Sequence, residues 1–140
     1  MIVYLDTSLV IGRLMGETPP HSSVPWGKWE AAFSSRLLQV EGFRTLDRLR
    51  LSGTIRDKDM PPLVQTLQLI MGYLGEIPVS EAVLHRASLP FSTIVRTLDA
   101  IHIASALLYR EREKKEITFL THDVRQGLAA RAAGLRAEGF

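Results

Sequence analysis

The sequence predicts an α/β fold built on a parallel sheet. Residues Met1 to Leu5 are a short, β-rich apolar run with no polar alternation, as expected of a strand buried on both faces. Glu116 to Thr121, EITFLT, is the clearest internal strand. Between the two lie several amphipathic stretches with helical spacing, and strands separated by helices imply parallel order.

In chain order, Asp6 ends the first strand. Thr7 and Ser8 then offer caps for an amphipathic helix over Leu9 to Met15. Gly16 to Gly27 holds Pro19, Pro20 and Pro25 and reads as a loop, and Trp29 to Phe33 fits either a helical turn or a short edge strand. Ser34 and Ser35 precede a helix in which Leu37, Leu38, Val40, Phe43, Leu46, Leu49 and Leu51 recur at helical spacing. Asp59 and Met60 before Pro61 and Pro62 are the cap and first turn of another helix, running through Leu74, and the two helices read as a hairpin. Ile77 to Val79 suits a second parallel strand, followed by Ser80 and Glu81 capping a helix through Leu89. Pro90 breaks the pattern. A helix follows from about Thr97 to Glu113, then the EITFLT strand and a last helix from Val124 to Ala133, closed by Gly134.

At 140 residues, 46% hydrophobic and 23% charged, the chain has the composition of one globular domain spanning 1–140. No apolar run reaches the roughly 18 residues of a membrane span, and MIVYLD lacks the basic start of a signal peptide, so a cytoplasmic protein is expected. The absence of cysteine excludes disulfides, thiolate metal sites and a cysteine nucleophile. Any metal would be held by oxygen or imidazole. The net charge is +2, yet thirteen of the seventeen cationic residues are arginine, whose planar fork suits phosphate.

Ligands of parallel sheets bind beyond the carboxyl ends of the strands, and Asp6 and Asp123 fall where the chain leaves its two clearest strands. Either could be a simple helix cap. Asp99, in LDAIHIASAL, lies among apolar neighbours where an unpaired charge would be costly to bury, unless Thr97 caps a helix there. Glu41 sits between Val40 and Phe43, although an exposed stripe of Gln39, Glu41 and Arg48 would also account for it. Four carboxylates from separate elements could converge at one sheet end. Such a set suits magnesium, which takes carboxylate oxygens, water and substrate phosphate. A metal so held activates water for phosphodiester hydrolysis.

Tyr4-Leu5-Asp6-Thr7-Ser8, Glu41 in a helix, Leu98-Asp99-Ala100-Ile101-His102-Ile103-Ala104 and Phe119-Leu120-Thr121-His122-Asp123 together resemble the PIN domain, closest to VapC-type ribonuclease toxins. The resemblance covers nearly the whole chain in order. It implies a three-layer fold with a small parallel sheet between helices, magnesium or manganese as cofactor, and cleavage of structured RNA. It also implies neutralisation by a VapB-like antitoxin and a homodimer. By position, Asp6, Glu41 and Asp99 look like the family's metal-binding acids and Asp123 like its more variable fourth. Ser8 and Thr121 resemble the small hydroxyl residues that position the first acid or a water. The segment from Gly16 to Phe33 follows no family pattern.

His102, three residues after Asp99, is expected to bond a backbone group or a carboxylate more readily than a metal, and strand alternation turns His122 away from Thr121 and Asp123. His21 and His85 have no visible partner. Arg44, Arg48, Arg50, Arg125, Arg131 and Arg136 read as a solvated helical face, with RNA phosphate or an antitoxin as the functional alternative. The helices Arg36 to Leu51 and Pro61 to Leu74 offer a groove for an antitoxin helix. Competing classes fit less well. A phosphoryl-aspartate phosphatase or a signalling receiver would need a second acid beside Asp6, where Thr7 and Ser8 stand, and no Gly-rich nucleotide loop is present. The remaining alternative is a catalytically inactive PIN-like module that binds RNA or protein.

Overall fold

A computed structural model describes residues 1–17 and 24–140. His21 and the middle of the segment read as a loop lie outside the described residues. Five parallel strands form one sheet: β1 (Ile2–Leu5), β2 (Ala31–Ser35), β3 (Gly75–Ile77), β4 (Ile117–Leu120) and β5 (Arg136–Glu138), in the order β3-β2-β1-β4-β5. Among the described residues six helices flank it: α1 (Thr7–Leu14), α2 (Leu37–Leu51), α3 (Met60–Tyr73), α4 (Glu81–Ala87), α5 (Thr97–Glu113) and α6 (Val124–Ala132). The layers follow from strand alternation. Val3 and Leu5 of β1 face a core shared with Leu9, Leu38, Leu46 and Leu67 from α1, α2 and α3. Ile2 and Tyr4 face the opposite core, with Ile103 and Leu107 of α5 and Ala129 and Ala130 of α6. Both faces of β1 are thus buried, which is why its sequence is continuously apolar.

Leaving β1, the chain builds outward on one side through β2 and β3, then returns to build the other side through β4 and β5. The order in which strands are added switches sides between β1 and β4. A crevice opens at their carboxyl ends, where the backbones part into α1 and α6.

Several boundaries differ from the sequence expectation. Asp6, not Thr7 or Ser8, caps α1, its carboxylate accepting from the Ser8 N–H. Trp29 to Phe33 resolves into β2, which begins at Ala31 and lies inside the sheet, not at its edge. Ser34 and Ser35 belong to that strand. The Ser34 hydroxyl is satisfied by the Leu5 carbonyl at 2.7 Å, while Ser35 Oγ accepts from the Leu37 N–H at the start of α2. The strand expected at Ile77 to Val79 is displaced to Gly75–Ile77, because its backbone pairs with Phe33 to Ser35. Arg96, rather than Thr97, precedes α5 at its cap position. β5 has no counterpart in the sequence reading, and it removes Arg136 from the expected helical face. Helices α2 and α3 pack together where Gly42 meets Leu67. A hollow of about 400 Å³ borders α2 on its other flank, lined by Leu37, Val40, Phe43 and Val79, so it is not a groove between the two helices. Among the described residues no helix is long and apolar enough to cross a membrane.

Candidate active site

The crevice at the switch in strand order is a cleft of about 950 Å³, and Asp6, Glu41, Asp99 and Asp123 all line it. Asp6 leaves β1 at the floor, almost wholly buried. Its Oδ2 accepts from the Ser8 N–H at 3.0 Å, the Ser8 hydroxyl at 2.6 Å and the Thr121 hydroxyl at 3.1 Å, and its Oδ1 accepts from the Gln126 amide at 3.0 Å. Burial alone would raise the Asp6 pKa, but the His102 charge and the donors from Ser8 and Gln126 outweigh it and hold the carboxyl below the usual aspartate value. Asp6 is therefore an anion fixed in position.

Glu41 reaches the cleft from α2. Its Oε2 accepts from the Thr7 hydroxyl at 2.9 Å and lies 2.6 Å from His102 Nε2. His102 comes from α5 and is buried, with Nε2 also 3.6 Å from Asp6 Oδ1. Desolvation presses its pKa down, yet the hydrogen bond to Glu41 and the charges of Asp6, Glu41 and Asp99 leave it raised above the ordinary histidine value. When protonated, the ring donates from both nitrogens, Nε2 to Glu41 and Nδ1 to the Tyr4 oxygen 2.7 Å away. Burial and the nearby Asp6 charge push the Tyr4 phenol well above its ordinary pKa, so it stays neutral. One buried imidazole thus couples two of the four acids.

A different cation couples the other two. Asp99 lies in the first turn of α5, and Asp123 caps α6, its Oδ1 accepting from the Arg125 and Gln126 N–H groups. The Arg96 fork spans them, Nε donating to Asp99 Oδ2 at 3.0 Å and Nη2 to Asp123 Oδ2 at 2.9 Å. Partial burial and the neighbouring Asp6 and Asp123 charges raise the Asp99 pKa despite Arg96.

The donor set is one that a hard divalent ion accepts: carboxylate oxygens, no thiolate, and Glu41 Oε1 and Asp99 Oδ1 free of hydrogen bonds among the described residues. As the acids stand, no three described acidic or imidazole groups are close enough together to enclose one ion. They are drawn into two pairs, by His102 and by Arg96. The rim is cationic, with Arg44 and Arg48 of α2 on the same helical face as Glu41.

All four acids singled out in the sequence reach this cleft, and Ser8 and Thr121 both bond Asp6. Glu41 is not on a solvated stripe with Gln39. His102 bonds a carboxylate, as a histidine on a packed helix was expected to. The strand β4 ends at Leu120, before the alternation expected to turn His122 away, and His122 lines the same cleft as Asp123, its Nδ1 3.4 Å from Glu17. The sequence reading missed Thr7 as a partner of Glu41, Gln126 as a partner of Asp6, and Arg96. A usable signal existed for two of them: Gln126 is a polar residue among small apolar ones in VRQGLAA, and Arg96 stands three residues before Asp99, at ion-pair spacing.

No family model matches the chain. It is 28% identical over 145 aligned positions to a curated protein named Ribonuclease VapC47 of Mycobacterium tuberculosis (strain CDC 1551 / Oshkosh), an alignment covering 99% of this chain and 93% of that protein.

Proposed function

We propose that this chain is a single PIN-like domain with metal-dependent endoribonuclease activity of the VapC type, hydrolysing RNA phosphodiester bonds with magnesium or manganese held by Asp6, Glu41, Asp99 and Asp123. The observation that carries the reading is the meeting of four carboxylates from separate elements in one cleft at the carboxyl ends of β1 and β4. The full-length similarity to a protein named as a ribonuclease supports the same substrate class.

When bound, the metal would supply the charge that makes a water nucleophilic near neutral pH and offsets negative charge on the scissile phosphate. The chain's own residues prepare for this. Ser8, Thr121 and Gln126 fix the Asp6 carboxylate, and Thr7 and His102 fix Glu41. Tyr4 holds the His102 ring in turn. Arg44 and Arg48 line the way in for a polyanion.

Purified protein is expected to cut a structured RNA with magnesium or manganese and to stop in EDTA, while Asp6→Asn abolishes cleavage and keeps the far-UV circular dichroism of wild type. Undiminished cleavage by either the EDTA-treated protein or the variant rejects the assignment. Binding of RNA without any cleavage under these conditions would favour the inactive RNA-binding module instead.

In the cell the reading extends to a cytoplasmic, homodimeric toxin of a type II pair, neutralised by a VapB-like antitoxin. Expression of the chain alone should then arrest growth, and expression of Asp99→Asn should not. Equal arrest by both proteins would point to a cause other than nuclease chemistry.

A further inference from the structure

We propose that Arg96 is an exchangeable counter-cation of the acid cluster, holding Asp99 and Asp123 in the metal-free protein and releasing the same oxygens when a divalent ion binds. The inference rests on reading the cleft as a metal site. It goes further in assigning a residue of this chain that gives up its hold on two carboxylate oxygens as the ion binds.

Geometry sets Arg96 and an ion in competition. Each of the two hydrogen bonds from Arg96 ends on an Oδ2 of an acid facing the cleft, and the guanidinium spans residues from the starts of two different helices. With Arg96 in this position, two of the carboxylate oxygens that face the cleft are already taken by the guanidinium. A guanidinium and a metal ion both seek the same carboxylate lone pairs, so occupancy by one opposes the other.

The same geometry makes release feasible. The Arg96 side chain is 62% exposed, against 1% for His102, the other cation tying a pair of acids. Among the described residues its side-chain hydrogen bonds are the two to Asp99 and Asp123, and its backbone is extended at the start of α5 rather than locked inside the helix. Asp123 keeps its capping bonds through Oδ1, so losing Arg96 frees Oδ2 without uncapping α6. Asp99 likewise offers Oδ1. The buried His102 tie is a fixed part of the site, and the exposed Arg96 tie is the part that can let go.

The test follows Arg96 directly, using protein labelled with 15N-arginine. Its Nε–Hε resonance, assigned by its loss in Arg96→Lys, should be protected from solvent exchange in EDTA and lose that protection as magnesium saturates the site. In parallel, manganese binding is measured from the electron paramagnetic resonance of the free ion. Lysine keeps the charge but has no fork to span two carboxylates. Arg96→Lys should therefore bind manganese more tightly, roughly fivefold or more, as expected for two cations coupled through shared ligands. An Arg96 Hε still protected with manganese binding established and magnesium saturating overturns this inference alone, as does unchanged manganese affinity in Arg96→Lys. Failure of wild type to bind manganese at millimolar concentration rejects the metal site itself, and the exchange with it.

Discussion

Asp6 has both carboxylate oxygens engaged by side chains from three separate segments, and its neighbour Glu41 is held by two more. At this scale the controlling contact is the buried Tyr4 hydroxyl on His102 Nδ1. Tyr4 is inaccessible and stacks on Phe119 with ring centroids 5.1 Å apart, so removing its hydroxyl leaves the ring packed but strips the imidazole of a partner. A buried group deprived of its hydrogen bond costs roughly 1 to 3 kcal/mol. Tyr4→Phe should lower unfolding stability by about that amount in urea melts, with the denaturant slope unchanged. Equal stability would mean that the hydroxyl contributes nothing to holding the ring. None of this was legible locally. Thr7 and Gln126 act on acids 34 and 120 positions away, so their roles exist only once the fold brings those segments together.

Among the elements, α2 presents the cleft with an ordered series: Glu41 inside, then Arg44 and Arg48 at successive turns of the same face. Arg44 is paired with Asp47, and Arg50 with Asp47 and Asp57, whereas Arg48 has no ion pair among the described residues. A free guanidinium on the rim of an acid-lined cleft is placed to take a phosphate without first breaking a bond. Arg48→Ala should therefore weaken RNA binding and reduce the slope of log affinity against log salt by about 0.7 to 0.9, the value of one phosphate contact. Arg50→Ala should leave that slope nearly unchanged. Fluorescence anisotropy with a labelled RNA oligonucleotide in EDTA reads both, and identical slopes for the two variants would remove Arg48 from the substrate path. A long element such as α5 was readable, because its buried run from Ala100 to Leu107 leaves a continuous apolar signal. The three-residue β5 was not: Arg-Ala-Glu carries no pattern of its own and becomes a strand because β4 supplies its pairing.

For the whole molecule, the fold class was legible because β1 and β4 are buried on both faces and say so in composition, and the acids stood out because each breaks an apolar stretch or ends one. Strand order was not legible, since nothing in the sequence states that the chain crosses from β3 back to β1's other side. That crossing decides the energetics of the site as a unit. If the four carboxylates share an ion, magnesium at about a hundred times its dissociation constant should stabilise the fold by roughly 2.7 kcal/mol. For a chain of this size that raises the melting temperature by roughly 5 to 10 °C. Asp99→Asn should show less than half the shift in calorimetry, and an equal shift in both proteins would place the ion elsewhere. The crossing also sets when the site comes into being. Asp6 and Glu41 are synthesised early, but the hydroxyl and amide that fix Asp6 lie 115 and 120 residues downstream, next to Asp123, and β1 has no neighbour on that side until β4 exists. A nascent chain therefore carries half of the acids with no geometry to use them. If the chain cuts RNA as proposed, it stays inert through most of its own translation and becomes competent only once the segment from Ile117 to Gln126 is free to fold.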